Sequence, residues 1–382
     1  KNIDEYKMTK LKYCKNCILP STRPNLHLNV QGICSGCNST EVKKVINWNE
    51  RKKHFDKLIY KIKSKSKRYD CVIPVSGGKD STWQVIKALE YGLRPLCVTW
   101  KTPARNQLGE ANIKNLIKLG VNHIDFSINP NIEKKFTLRS FEAVGSPVVP
   151  MHMALHAIPL QVAIGFEIPL IIWGENSAFE YGGNNKTLKG FSLTHAWLKK
   201  YGVTNGTTAE DWVDNDLSFL SLSPYYWPTY EMQKKADVKA IFLGHFFNWD
   251  PQKTYEIAKK HGFKAGKKPK TGYYSFADID DEFLITIHHW MKWYKFGFTR
   301  LWDNLSLEIR NNRITRQQAI NIIKKIGNEV PKKEISDFCK YVQITEKRFF
   351  EVAEKFRNKN IWKKNIKDKF VLDGFLIDDW KW

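Results

Sequence analysis

One segment constrains the fold of this chain more than any other: a glycine-rich hexad that directly follows a short apolar run. The apolar run is Asp70–Val75, and the hexad is Ser76-Gly77-Gly78-Lys79-Asp80-Ser81. A helical pattern extends from about Asp80 to Tyr91. A strand, a glycine-rich turn and a helix in this order are typical of a phosphate-binding unit, in which backbone N–H groups and the helix N-terminus face an anion.

The side chains of the hexad suit the binding of a phosphate group. Its glycines let backbone amides approach an anion closely, and the hydroxyls of Ser76 and Ser81 can donate to phosphate oxygens. Lys79 supplies a cation, whereas Asp80 would repel a bare phosphate and therefore predicts a bridging Mg²⁺. We assign nucleotide binding to all six residues and catalytic roles to Lys79 and Asp80. A purely structural strand–turn–helix would explain a lone Gly-Gly pair better than the full hexad.

Further short apolar segments alternate with helical patterns, which predicts an α/β fold with a parallel sheet covered by helices on both faces. The expected strands after the first are Leu96–Trp100, His123–Ser127, Pro169–Trp173 and Val238–Phe247. Three regions follow from these patterns: a cysteine-rich module at 1–48, a nucleotide-binding α/β domain at 49–275, and a helical C-terminal region at 276–382. The α/β domain carries a less regular insert at about 176–237.

Four cysteines near the start form two C-x2-C pairs, a spacing typical of a tetrahedral zinc site. They are Cys14, Cys17, Cys34 and Cys37. Four thiolates leave no open coordination position, so we expect a structural role. The spacing alone also allows an iron–sulfur cluster.

The formal net charge of +23 invites a nucleic-acid interpretation. Lysine greatly outnumbers arginine, however, and asparagine and isoleucine are abundant, as in proteins from AT-rich genomes. A solvated lysine-rich surface is therefore the favoured interpretation of the charge, and an anionic partner such as ATP, an acidic sugar or RNA is the alternative. The first residues contain no apolar signal segment, and the apolar stretch at 156–173 is interrupted by prolines and polar residues. We expect a cytoplasmic protein without a membrane span.

The hexad resembles the PP-loop of the ATP pyrophosphatases, a group with the adenine nucleotide α-hydrolase-like fold that includes GMP synthetase, NAD synthetase and tRNA thiolation enzymes. The resemblance implies that ATP is cleaved to AMP and pyrophosphate as a substrate oxygen is adenylated. It also implies that the end of the second strand holds the adenine side, here Thr99, Trp100 and Lys101.

Three segments together resemble the N-acetyl sugar amidotransferase family, proteins of the WbpG and PseA kind in lipopolysaccharide and flagellin-sugar pathways. The segments read CKNCILPSTRPNLHLNVQGICSGC, PVSGGKDST and KWYKFGFTRLWDNLSLEIRNNRITRQQAI. The resemblance implies that the oxygen of an N-acetyl group is adenylated and that ammonia then displaces AMP, which leaves an acetamidino group. It also implies that ammonia comes from a separate glutaminase subunit, similar to that of histidine biosynthesis, or from solution.

Several other positions are candidates for ligand binding. Gly174-Glu175 follows the fourth strand and Gly244-His245 lies near the end of the fifth, where open α/β sheets bind ligands. The alternatives are a helix cap or turn acid for Glu175 and a structural histidine for His245. The late motif and the helix before it supply candidate substrate residues, for which a solvated basic helix face is the alternative: His288, Lys295, Arg300 and Arg310. His152 and His156 share a helix face, and packing explains them better than a metal pair.

Two rival functions remain to be weighed. A tRNA-thiolating enzyme would share the PP-loop, the cysteine module and the basic charge, but it needs catalytic cysteines or an iron–sulfur cluster. After the hexad only Cys97 and Cys339 remain. A zinc-ribbon nucleic-acid-binding protein with a degenerate nucleotide fold would not need the intact hexad.

Overall fold

The central sheet contains five parallel strands in the order β3-β2-β1-β4-β5. The structure is a computed structural model that describes residues 10–182, 192–327 and 329–382. The strands are β1 (Cys71–Pro74), β2 (Pro95–Trp100), β3 (Asn122–Phe126), β4 (Leu170–Trp173) and β5 (Lys239–Phe242). A short antiparallel hairpin near the end of the chain pairs β6 (Trp362–Lys364) with β7 (Phe370–Leu372). The α/β fold with a parallel sheet is thus confirmed.

Helices precede, connect and follow these strands. In chain order they are α1 (Ser35–Lys44), α2 (Trp48–Lys65), α3 (Lys79–Glu90), α4 (Gln107–Ile117), α5 (Pro130–Val144), α6 (Val149–Gly165), α7 (Ser177–Tyr181), α8 (His195–Tyr201), α9 (Tyr230–Ala236), α10 (Pro251–Lys260), α11 (Leu284–Phe296), α12 (Arg300–Arg310), α13 (Arg316–Ile326), α14 (Lys332–Val342) and α15 (Glu346–Lys355).

Successive residues of each strand point to opposite faces of the sheet, and helices cover both. Cys71 and Ile73 of β1 belong to a core with α2 and α3, whereas Val72 between them packs with α5 and α6. Burial on both faces explains why the strands read as continuous apolar runs without a polar alternation.

Two expected elements differ from the structure. The fifth strand, expected at Val238–Phe247, ends at Phe242, and the residues after it, Leu243–His245, form a 3-10 turn. The C-terminal region is not helical to its end, because the β6–β7 hairpin follows α15. Of the insert at about 176–237, residues 183–191 lie outside the described part of the chain.

The cysteine-rich module packs directly on the C-terminal region. One hydrophobic core contains Leu11 and Ile18 of the module together with Trp302 of α12 and Trp362 of β6. The backbone N–H of Leu11 also donates to the carbonyl oxygen of Asp373 at 2.9 Å. The first and last parts of the chain therefore stabilise each other.

None of the helices in the described residues is long and apolar enough to cross a membrane.

Candidate active site

The loops after β1 and β4 meet at one edge of the sheet. These two strands are neighbours, with Val72 opposite Ile171, and the strand order reverses between them. In open α/β sheets the carboxyl edge at such a reversal is where ligands bind. A cavity of about 230 Å³ opens there. Its lining residues are Ser76, Gly78, Lys79, Asp80, Ser81, Glu175, Tyr181, Trp249, Pro251, Tyr274, Phe276, Ala277, Asp278, Ile279, Asp280, Arg300 and Asn304.

The backbone of the hexad depends on glycine. Gly77 has a φ of +80°, and a Cβ there would lie 2.8 Å from the backbone nitrogen of Ile113. Any other residue would therefore be strained and would also collide with α4. Gly78 is the N-cap of α3 and makes no side-chain cap hydrogen bond, so the first turn of α3 opens toward the cavity.

Lys79 and Asp80 form the floor of the cavity. The Nζ of Lys79, whose residue is only 6% exposed, lies 2.5 Å from Oδ2 of Asp80. It also lies 5.4 Å and 5.6 Å from the ring centroids of Trp249 and Phe276. The other oxygen of Asp80 accepts hydrogen bonds from Nε1 of Trp249 at 2.8 Å and Oγ1 of Thr254 at 3.1 Å. The aspartate is thus held in one orientation by three donors.

Glu175 adds a second carboxylate beside Asp80. Burial raises the pKa of Glu175 to about 7, the negative charge of Asp80 contributes to the rise, and Lys79 opposes it. Two carboxylates next to a phosphate-binding loop are the oxygen ligands that Mg²⁺ uses together with phosphates. The residues at this edge therefore fit a magnesium ion, which Asp80 and Glu175 would hold.

The two candidate glycines after β4 and β5, Gly174 and Gly244, lie where the backbone packs closely. The backbone N–H of Gly244 donates to the carbonyl oxygen of Gly174 at 3.0 Å, which joins the loops after β4 and β5. A Cβ at Gly174 would lie 2.8 Å from Nε2 of Gln84 on α3. The ring of His245 points away from the cavity and contacts Arg51.

The opposite wall comes from the C-terminal part of the chain. The side chain of Asn304, 1% exposed, accepts from the backbone N–H of Tyr273 at 3.0 Å, but its Nδ2 has no partner among the described residues. The Nε of Arg300 is likewise without a hydrogen-bond acceptor. Burial raises the pKa of Asp280 in the same wall to about 7, and Asp281 adds to the effect. Among the described residues, both donors thus lack a hydrogen-bond acceptor, although Nε of Arg300 lies 3.8 Å from Oδ2 of Asp278, and a carboxyl group of near-neutral pKa lies in the same wall.

Sequence reasoning missed several of these wall residues. Asn304 follows Arg300 by four positions on α12, so helical spacing within the late motif could have found it. Trp249, Asp278 and Asp280 carry no local signal, because they reach the cavity only through the packing of irregular segments.

The residues expected at the adenine side lie apart from the cavity. Thr99 donates its hydroxyl to the carbonyl oxygen of Val75 at 2.6 Å, and Nε1 of Trp100 donates to Glu133 at 2.8 Å. Lys101 borders a separate open depression with Arg105 at the start of α4. The first two side chains are thus occupied by contacts within the fold.

Of the four expected substrate residues, only Arg300 lines the cavity. The hydroxyl of Ser146 lies 3.3 Å from Nδ1 of His288, whose pKa is held below its usual range by burial. Lys295 donates to the carbonyl oxygen of Val144 at 2.8 Å, and burial lowers its pKa to about 8. Arg310 lies against the cysteine cluster instead.

The four cysteines of the module converge on one point. The Sγ atoms of Cys14 and Cys37 are 3.8 Å apart and those of Cys17 and Cys34 are 3.6 Å apart. All four lie within 4.8 Å of one another and are buried. A zinc ion bonded to sulfur at about 2.3 Å in a tetrahedron needs sulfur atoms separated by roughly 3.8 Å. The cluster therefore fits zinc with little rearrangement.

A larger cavity of about 560 Å³ lies elsewhere, between α11, α13 and the last residues of the chain. Its walls include Trp293, Trp362 and Arg357. It contains no residue of the hexad, so it is separate from the candidate active site.

The C-terminal wall of the cavity lies in a part of the chain that matches a known protein family. Residues 270–372 match the family model of the LPS biosynthesis protein WbpG-like, C-terminal domain. This part of the chain is similar to that domain, and we call residues 270–372 the WbpG-like domain. Arg300 and Asn304 belong to this WbpG-like domain, whereas the hexad belongs to the α/β sheet before it. The cavity is thus formed jointly by the phosphate loop and the WbpG-like domain.

Other similarities are more limited. An uncharacterized protein of Methanocaldococcus jannaschii is 34% identical over 89 residues, which are 22% of this chain and 31% of that protein. This chain thus spans about a third of that curated relative. Two solved structures match this chain with low TM-scores and low sequence identity. A predicted subunit of a tRNA methyltransferase from M. jannaschii has a TM-score of 0.26 at 14% identity, over 50% of this chain and 73% of that one. An NMN synthetase from Francisella tularensis has a TM-score of 0.30 at 15% identity, over 81% and 96%.

Proposed function

We propose that the protein is an ATP-dependent amidotransferase that converts the N-acetyl group of a bacterial surface sugar, of the lipopolysaccharide or flagellin-glycan type, into an acetamidino group. The observation that carries the proposal is the joint cavity. The phosphate loop with Lys79 and Asp80 forms one side, and the WbpG-like domain with Arg300 and Asn304 forms the other. A nucleotide bound at the loop would have its α-phosphate facing a sugar held by the WbpG-like domain.

The first half-reaction is adenylation of the amide. The oxygen of the N-acetyl group attacks the α-phosphorus of ATP, the bond between the α- and β-phosphates breaks, and pyrophosphate leaves. Lys79 and the backbone N–H groups of the hexad would stabilise the negative charge on the phosphates. Bound Mg²⁺, held by Asp80 and Glu175, would neutralise further phosphate charge. The products of this step are an O-adenyl imidate and pyrophosphate.

The second half-reaction replaces oxygen by nitrogen. Ammonia attacks the imidate carbon, the carbon–oxygen bond breaks, and AMP leaves with the former amide oxygen. The attacking nitrogen loses a proton, and Asp280, with a pKa of about 7, is suited to accept it at neutral pH. We propose that ammonia is delivered by a separate glutaminase subunit or taken from solution.

Thiolation of tRNA is less consistent with the site. No cysteine lines the cavity in the described part of the chain. Cys97 is fully buried in β2, and burial raises the pKa of its thiol to about 12, so little thiolate is present at neutral pH.

Product analysis tests the proposal. The protein is incubated with Mg-ATP, ammonium and a panel of N-acetylated bacterial sugars, both free and nucleotide-linked. We expect AMP and pyrophosphate with one sugar, together with the mass change for replacing oxygen by NH. Asp80→Asn should abolish this turnover, whereas Asp237→Asn, a change at an exposed ion pair with Lys65, should not. AMP formation that requires tRNA and a sulfur donor instead of a sugar would overturn the proposal.

A further inference from the structure

Arg310 occupies an unusual electrostatic position for a buried cation. Its residue is 8% exposed, and its NH2 lies 4.0 Å from the Sγ atoms of both Cys17 and Cys34. Its NH1 donates to the carbonyl oxygen of Glu180 at 2.7 Å. Across the described ranges, no carboxylate oxygen lies within ion-pair distance of the guanidinium. The nearest anionic partners of Arg310 are therefore the sulfur atoms of the cluster.

The charge of a four-cysteine zinc centre explains this arrangement. Four thiolates and one Zn²⁺ carry a net charge of −2, and a buried charge is costly unless an opposite charge lies nearby. Arg310 supplies a permanent positive charge on one side of the centre. Conversely, the thiolates provide the negative charge that the buried guanidinium needs.

The second cysteine pair is shaped to admit the guanidinium. A Cβ at Gly36, between Cys34 and Cys37, would lie 2.6 Å from NH2 of Arg310. Gly182, just after α7, has a φ of +100°, and a Cβ there would lie 2.8 Å from the backbone nitrogen of Gly36. The absence of a side chain at Gly36 and Gly182 thus allows the cysteine cluster, α12 and the end of α7 to pack closely against one another.

A chain of hydrogen bonds continues from this contact to the active site. The carboxylate of Glu180 on α7 accepts from Nζ of Lys43 at 2.8 Å and 3.0 Å, and the same Nζ donates to the carbonyl oxygen of Trp249 at 2.6 Å. Trp249 in turn donates its indole N–H to Asp80 at 2.8 Å. Lys43 lies on α1, the helix that begins directly after Cys34.

We propose that the metal–thiolate centre positions Asp80 for nucleotide binding, with Arg310 as its charge partner and Lys43 as the link to Trp249. Both arginine and lysine are positioning residues, because neither lines the cavity. This inference concerns metal retention and nucleotide binding, so it does not depend on which sugar or nitrogen donor the enzyme uses.

The first arm of the test measures metal retention. Zinc-loaded protein is titrated with a chromogenic chelator, and the variants are Arg310→Met and Arg310→Lys. The control is Arg348→Met, since Arg348 pairs with Glu142 at 2.8 Å and contacts none of the four cysteines. We expect Arg310→Met to weaken zinc binding by about 10- to 100-fold, as for other residues surrounding a metal's ligands. Arg310→Lys should recover part of the loss, and Arg348→Met should bind zinc as the wild type does.

The second arm measures Mg-ATP binding by calorimetry without any sugar. Lys43→Met should keep its zinc but bind Mg-ATP at least about 10-fold more weakly, as expected when a hydrogen-bonded positioning group is removed. Zinc-depleted wild type, checked for folding by circular dichroism, should show a similar loss. Unchanged zinc affinity in Arg310→Met would overturn the role of Arg310. Unchanged Mg-ATP affinity in zinc-loaded Lys43→Met would overturn the link to Asp80.

Discussion

The indole N–H of Trp249 donates to Oδ1 of Asp80 at 2.8 Å, and Oδ2 of the same aspartate lies 2.5 Å from Nζ of Lys79. The carboxylate therefore has a fixed orientation at the phosphate loop before any ligand binds. Such preorganisation reduces the rearrangement needed when charge develops on a bound phosphate.

Trp249→Phe tests this orientation. Phenylalanine keeps an aromatic ring near Lys79 but removes the donor to Asp80. We expect the rate of pyrophosphate release to fall by roughly 5- to 10-fold, which corresponds to about 1 kcal/mol for one hydrogen bond. Trp227→Phe is a suitable control, because Trp227 does not border the cavity. An unchanged rate in Trp249→Phe would show that the remaining donors suffice to hold Asp80.

Glu175 makes nucleotide binding dependent on pH. Its pKa is raised to about 7, so its carboxyl group is largely protonated below that pH and ionised above it. Since only the carboxylate can hold Mg²⁺, we expect Mg-ATP affinity to increase as pH rises through about 7. Glu175→Gln should lower the affinity above pH 7 and weaken this pH dependence, with Asp280, whose pKa is also about 7, left to titrate in the same cavity. Calorimetric titrations at several pH values measure both effects.

The same raised pKa predicts the opposite trend for the stability of the metal-free protein. Between its ordinary value of 4.5 and about 7, Glu175 ionises in the unfolded chain but not in the folded one. The folded state is therefore stabilised by protonated Glu175, and this stabilisation is lost as pH rises from about 4.5 through about 7. In urea denaturation, wild type and Glu175→Gln should have similar stabilities below about pH 4.5, where both side chains are neutral, and the wild type should become the less stable of the two as pH rises to about 7 and above. Parallel curves over the whole range would contradict the assignment.

Asn304→Asp tests the sugar side of the cavity. The change keeps an oxygen to accept from the backbone N–H of Tyr273 but removes the unpartnered Nδ2 donor. We expect KM for the sugar to rise by roughly 10- to 100-fold, as for loss of a hydrogen bond in a desolvated site, with Mg-ATP affinity nearly unchanged. Asn311→Asp makes the same replacement at the exposed end of α12 and should have wild-type kinetics. Loss of Mg-ATP affinity alone would place Asn304 on the nucleotide side.

Cys14→Ser tests the metal cluster. Removal of one of four thiolates should lower the bound zinc and the melting temperature, because the core that joins the two ends of the chain is built around the cysteines. Cys339→Ser is the control: Cys339 is also buried, but it lies on α14 away from the cluster. Metal analysis should show full zinc in Cys339→Ser, and full zinc in Cys14→Ser would rule out the four-cysteine site.

The local parts of the site could be predicted from sequence, and the long-range parts could not. The strand, hexad and helix around Lys79 are contiguous, and the C-x2-C spacing alone brings two thiolates together. Arg300 and Arg310 illustrate the limit, because both are arginines of one motif. Ten residues at about 1.5 Å each separate them by roughly 15 Å along α12. Arg300 therefore reaches the cavity and Arg310 the cysteine cluster. The packing of α12 between these two sites determines this assignment, and the sequence of the motif does not reveal it.

The contact between Arg23 of the cysteine module and Asp303 of α12 joins residues 280 positions apart. At about 5–20 residues per second, translation separates these two residues by roughly 15–60 s. During that interval the nascent module has its cysteines but neither Arg310 nor the apolar residues of α12 that cover it. The module therefore completes its core only after most of the chain has left the ribosome. We therefore expect the timing of metal loading, before or after α12 is synthesised, to affect how the module folds.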